Sequence, residues 1–190
     1  MRKFLLMLMI AGLTAGCSAG GLSDREREEK YNEYIQTVED NKGAVSQNIP
    51  FRYDLDVTKA KNGEYEYTVT IDKPQIAMYD IEAIIVDSTK VNTTDMMPNL
   101  GIIDDEDAVY NMIPFQVNAK RGFHKGIQLN GYTKKNTFTL QVMVTWKDYA
   151  KLNTSKAFFN FSYDEKKAKQ KTSQTDKNHE KDTSNETGEE

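Results

Sequence analysis

Residues 51–71 read FRYDLDVTKAKNGEYEYTVTI, and the alternation within this stretch decides the fold. Phe51, Tyr53, Leu55 and Val57 alternate with Arg52, Asp54 and Asp56, the period of two that a half-buried strand requires. Asn62-Gly63 is a turn signal, because both residue types tolerate positive φ. Beyond it Tyr65, Tyr67, Val69 and Ile71 alternate with Glu64, Glu66, Thr68 and Thr70. The spacing predicts an antiparallel hairpin with one apolar and one polar face.

Further along, Lys73-Pro74 breaks the second strand, and Met78 to Val86 forms a denser apolar run. There Tyr79, Ile81, Ala83 and Ile85 share one face while Ile84 and Val86 intrude on the other, which suits a more central strand. Phe115 to Asn118 and Phe123 to Tyr132 read as shorter strands, and Phe159, Phe161 and Tyr163 as a last one. Phe138, Leu140, Val142, Val144 and Trp146 alternate with Thr139, Gln141, Met143 and Thr145 in the cleanest long strand. The first set is expected to face the core, with Trp146 buried, and the threonines to face solvent. Short strands with turn signals between them predict a mainly β fold, a single antiparallel β-sandwich of immunoglobulin-like architecture over residues 49–164.

On the other side of the hairpin, the period changes to that of a helix. Ser23 with Glu26 three residues later makes a capping box, and Gly43 gives a stop near Asn41 or Lys42. Tyr31, Tyr34, Ile35 and Val38 fall on one stripe, and Glu26 and Lys30 stand at i and i+4. The stripe either docks on the β domain or belongs to a free stalk or partner-binding helix. Residues 23–48 are therefore a helix and its connection, and Ser18 to Leu22 a short tether.

The first sixteen residues have the anatomy of an export signal: basic Arg2 and Lys3, an apolar run from Phe4 to Leu13, and small Thr14, Ala15 and Gly16. The run is well short of the roughly 20 apolar residues a spanning helix needs. Cys17, the only cysteine, follows at once and has no intrachain partner for a disulfide. Leu13-Thr14-Ala15-Gly16-Cys17 resembles the lipobox of bacterial lipoproteins, departing from it at Thr14, where leucine is usual. The resemblance implies lipidation of Cys17, cleavage before it, and a chain held by acyl groups at the outer face of a bacterial cell membrane; an anchor, a tether and a β domain without catalytic motifs together lead to the separate expectation of an envelope protein or polymer as partner. It covers the first seventeen residues and implies nothing about the domain beyond.

A net charge of −4 speaks against nucleic-acid binding, which calls for a clustered basic face. Residues 165–190 lack core-forming side chains except Ala168 and are expected to be a disordered tail, lysine-rich first (Lys166, Lys167, Lys169, Lys171) and acidic later. No cofactor motif, nucleophile elbow, zinc cluster or phosphate-cradling loop occurs, and His124 and His179 are the only histidines. His124, among Lys120, Arg121 and Lys125, reads as a surface strand residue.

The long stretch from Ser88 to Met112 is the place where chemistry would sit. Met96, Met97, Leu100, Ile102 and Ile103 are candidates for partner contact. Asp104, Asp105, Glu106 and Asp107 either cap a short helix carrying Val109, Tyr110 and Ile113 or bind calcium, although the alternating spacing of an EF-hand is absent. The expectation is a non-enzymatic binding or accessory module. The alternatives are a small-ligand carrier or hydrolase with a pocket invisible to sequence, and a calcium-stabilised adhesive domain.

Overall fold

A computed structural model describes residues 23–89, 95–104 and 108–168. Within them the order is α1 (Asp24–Asp40), β1 (Arg52–Lys59), β2 (Tyr65–Asp72), β3 (Tyr79–Asp87), β4 (Asn99–Leu100), β5 (Gly126–Thr133), β6 (Thr137–Lys147) and β7 (Thr154–Asp164). The fold is mainly β, built of two sheets with an N-terminal helix, and neither sheet closes on itself. One sheet has the order β1-β2-β5 and the other β4-β3-β6-β7, with every pairing antiparallel.

The expected hairpin forms, paired from Lys59 opposite Tyr65 to Arg52 opposite Asp72. Of the two turn residues only Gly63 takes positive φ, at +85°. Asn62 instead uses its side chain, accepting from the Glu64 backbone N–H at 3.0 Å and donating to the Glu64 carboxylate at 2.7 Å. On β2, Tyr65, Tyr67, Val69 and Ile71 are buried while the residues between them are half-buried. They face β6 and β7 across a core in which Tyr53 stacks on Phe159 (ring centroids 4.2 Å apart) and Phe51 meets Trp146 edge-on at 6.0 Å. Trp146 is buried, as its phase requires.

The capping box is present: Ser23 Oγ accepts from the Glu26 N–H, and Glu26 Oε2 accepts from the Ser23 N–H at 2.8 Å. Tyr31, Tyr34, Ile35 and Val38 dock on the outer face of the four-stranded sheet, against Ile84, Val86 and Met143. This packing overturns the expectation of a solvated outer face on β6. Met143 and Thr145 are both buried, because α1 supplies a third layer above them. Lys30 does not serve its own helix through Glu26. It reaches Glu82 of β3 at 2.5 Å, where a partly buried carboxylate offers a stronger field than an exposed one.

Three further expectations fail for reasons of pairing. Residues 115–118 form no strand: Phe115 takes φ +63° at the apex of a turn closed by Gln116 N–H donating to Ile113 O at 3.1 Å. The next strand begins at Gly126, not Phe123, because Phe123 is bridged to Asn111 and Asn118 instead. Asp104 caps no helix. Residues 98–100 and 110–112 run along the edge of β3, where Ile85 N–H donates to Pro98 O, Ala83 pairs with Leu100, Ile81 N–H donates to Tyr110 O, and Met78 exchanges two bonds with Met112. Backbone committed to that edge cannot also coil around Val109, Tyr110 and Ile113. At the other terminus, residues 165–168 form a helical turn tied down by Glu165, whose N–H donates to Asn136 O and whose carboxylate pairs with Lys59, both at 3.0 Å. The rest of the expected disordered tail, residues 169–190, lies outside the described residues, as do the export signal and tether.

Candidate functional site

Two clefts meet at Met96. The first, about 570 Å³, lies between the opening turns of α1 and residues 95–103, and is lined by Asp24, Arg27, Tyr31, Ile35, Met97 and Ile103 together with Met96. The second, about 780 Å³, lies over the β5–β6 connection and is lined by Glu64, Thr89, Asp95, Gly131, Tyr132, Lys134 and Lys135, again with Met96. Met96 is 61% exposed. The other four apolar candidates serve packing. Met97 packs beneath α1 and donates its backbone N–H to the Tyr31 hydroxyl at 2.6 Å. Ile102 and Ile103 join that same cluster, and Leu100 packs against the inter-sheet core.

Of the four acidic candidates, Asp104 alone is among the described residues. Asp104 Oδ2 accepts the Gly101 N–H at 2.8 Å. Burial, aided by a hydrogen bond to Asp104, raises the Tyr110 phenol above its ordinary pKa. Asp105, Glu106 and Asp107 lie outside the described residues, as does Cys17. Among the described residues, no three His, Cys, Asp or Glu side chains are grouped closely enough to hold a metal. His124 lies outside the strands, its ring 5.6 Å from that of Tyr110 and its N–H donating to Asn111 O at 2.8 Å.

Two polar constellations escaped the sequence reading. Under α1, Glu82 Oε1 takes Lys30 at 2.5 Å, while Oε2 takes a short hydrogen bond from the Tyr34 hydroxyl and a longer one, 3.5 Å, from Thr145. Burial first, then the bond to Glu82, pushes the Tyr34 phenol far above its ordinary pKa. This cluster locks helix to sheet. The second lies beneath the larger cleft. Asp87 is fully buried; its Oδ1 accepts from Thr89 N–H at 2.9 Å and Thr89 Oγ at 2.6 Å, but its Oδ2 and the buried Tyr67 hydroxyl have no partner. Burial and the Asp87 charge hold the Tyr67 phenol protonated. Gly131 and Thr89, which touch these two groups, also line the cleft.

The signals for both were present in phase alone. Asp87 continues the inward series Ile81, Ala83, Ile85, and Glu82 begins the outward series Ile84, Val86. A carboxylate in register with a buried face marks either a partner on the opposing element or an unfilled polar site. Comparison with protein-family models, curated proteins and solved structures returns no match.

Proposed function

We propose that the chain is a non-enzymatic binding or accessory module, tethered through lipidated Cys17 to the outer face of a bacterial membrane and contacting an envelope protein or polymer. The observation that carries this reading is the clamp on α1. The six residues from Cys17 to Leu22 lead directly into a helix whose cap, apolar stripe and Lys30–Glu82–Tyr34 cluster hold it on the sheet. A six-residue tether ending on such a helix keeps the domain within about 20 Å of its anchor, which suits a module that presents surface to a neighbour. The two facing sheets read as an immunoglobulin-like sandwich, an architecture that implies no ligand by itself.

Contact falls at the clefts around Met96, where an exposed, adaptable thioether sits between an acidic-and-basic helix start and the Lys134–Lys135 connection. Growth with labelled fatty acid tests the anchor. The parent chain should carry label and sediment with membranes, whereas Cys17→Ser should carry none, because a hydroxyl does not replace the thiol as acyl acceptor. Equal labelling of the two would remove the anchoring claim.

A further inference from the structure

Strand register gathers three connections at one end of the fold. β2 ends at Asp72 opposite Gly126, where β5 begins; β3 begins at Tyr79 opposite Lys147, where β6 ends; and Lys147 stands opposite Thr154, where β7 begins. Residues 73–78, 113–125 and 148–153 therefore emerge together. Side chains tie their roots: Tyr79 meets Tyr149 at 5.9 Å between ring centroids, Lys151 reaches Asp80 at 2.8 Å, and Asn111 Oδ1 accepts the Asp80 N–H at 2.9 Å.

Most of the large apolar side chains that the described residues leave in solvent belong to these connections. Phe115 is wholly exposed, Tyr149 and Leu152 are each 84% exposed, and Val117 and Ile76 are also open. Phe115 sits at positive φ, a conformation that costs a bulky residue on the order of 1–2 kcal/mol, with no packing around its ring to offset it. Two of the three connections are basic in an acidic chain. Residues 114–125 carry Lys120, Arg121 and Lys125 and no acid, and residues 73–77 carry Lys73 and no acid. Near the roots Asp72 is engaged by Arg52, Asp80 by Lys147 and Lys151, Asp148 by Asn153, and Asp104 by the Gly101 N–H.

We propose that this end docks peripherally on an anionic lipid bilayer. Phe115, Val117, Tyr149 and Leu152 enter the boundary between headgroups and acyl chains, and Lys73, Lys120, Arg121 and Lys125 meet the headgroup phosphates. The geometry favours lipid over a protein partner. Bulky residues borne on separate loop tips suit a deformable surface, whereas a stable protein interface needs a continuous area of roughly 800 Å² per partner. Cations ringing an apolar insertion add attraction to anionic headgroups. The inference stands without acylation of Cys17, so it survives or fails separately from the anchoring claim.

The test is co-sedimentation of residues 17–190 carrying Cys17→Ser, checked for a cooperative melt, with vesicles of phosphatidylcholine alone or mixed with phosphatidylglycerol. Binding should require phosphatidylglycerol and weaken with salt. Phe115→Ser combined with Val117→Ser should lower the partition coefficient by roughly tenfold or more through lost apolar insertion. Lys120→Gln combined with Arg121→Gln should lower it by about fivefold for each cation removed. Absence of binding, or equal binding to both vesicle types, overturns the proposal. Binding unchanged in the Phe115 and Val117 variant also overturns it, since contact would then come from elsewhere, such as the lysines of residues 166–171. So does a chain that ignores vesicles but self-associates through Phe115, which would assign this end to protein.

Discussion

Gly131→Ala should be among the most damaging small substitutions in this protein, and the reason is a single ring. Gly131 stands opposite Tyr67 in the β2–β5 pairing, and the ring lies over it. A Cβ at Gly131 would sit 2.3 Å from both Cζ and the hydroxyl of Tyr67 and 2.7 Å from Cε2. Tyr67 is fully buried, with Phe138 5.8 Å away between ring centroids, so the ring has little space to yield. The φ of Gly131 lies outside the left-handed region, so the penalty is steric. Overpacking of this kind costs about 1–3 kcal/mol or more. Tyr67→Leu alone should cost about 2–4 kcal/mol in lost burial and residual cavity. In the double variant the new methyl meets no ring, and replacing a strand-interior glycine should then be neutral or favourable by about 0.5–1 kcal/mol. Urea melts followed by Trp146 emission, assembled as a double-mutant cycle, should therefore show a coupling of about 1–3 kcal/mol. Additivity to within about 0.5 kcal/mol would refute the placement of Tyr67 over Gly131, and with it the β2–β5 register.

The third layer makes a separate forecast on β6. Val142→Ala, on the inner face, should cost about 1–3 kcal/mol, and Thr145→Ala, buried beneath α1 with Tyr34 and Glu82 as partners, about 1–2 kcal/mol, while Thr139→Ala should stay near 0.5 kcal/mol or below; chemical denaturation that ranks Thr145 with Thr139 would argue against the docked helix. Alkaline pH should loosen the same layer. The folded-state pKa of Tyr34 is raised above its unfolded value near 10, so its contribution is complete below about pH 10 and lost as pH rises from there towards the folded value. Melts across that window should show a declining midpoint whose slope is smaller in Tyr34→Phe; an unchanged slope would mean that the phenol is not held between Glu82 and Thr145.

The hairpin, the long β6 strand, the helix with its capping box and the burial of Trp146 were legible because each rests on a period within one segment. What was missed depends on partners distant in sequence. Ile84, Val86 and Met143 looked like intrusions on a polar face, yet they are the floor for Tyr31, Tyr34, Ile35 and Val38. Two amphipathic patterns were each readable, but nothing local says that one covers the other. The stretch from Ser88 to Met112 failed for a related reason. Its described residues pair with the edge of β3 from Pro98 to Leu100 and again from Tyr110 to Met112, and the acidic residues fall between these two pieces in sequence. Neither half is long enough to show a period. Of the five apolar residues singled out there, Ile102 is buried, Met97, Leu100 and Ile103 are half-buried against α1 or the core, and Met96 is exposed.

The routing of these connections bears on which surfaces remain open to a partner. An exposed sheet edge invites strand addition, by a partner or by another copy. In the four-stranded sheet both edges are occupied by the chain itself. β3 is flanked by the two-residue β4 and by Tyr110 to Met112, and β7 is met by the segment after α1, where Ser46 N–H donates to Phe158 O at 2.9 Å and Asn160 donates to Gly43 O at 2.6 Å. The β1 edge of the other sheet carries Arg52, Asp54, Asp56 and Lys59, charges that oppose pairing with an apolar strand. Recognition by backbone pairing is thus disfavoured on three of the four edges. Side-chain surfaces are left to do the work: the clefts around Met96 at one end, and the apolar, basic loop tips around Phe115 at the other.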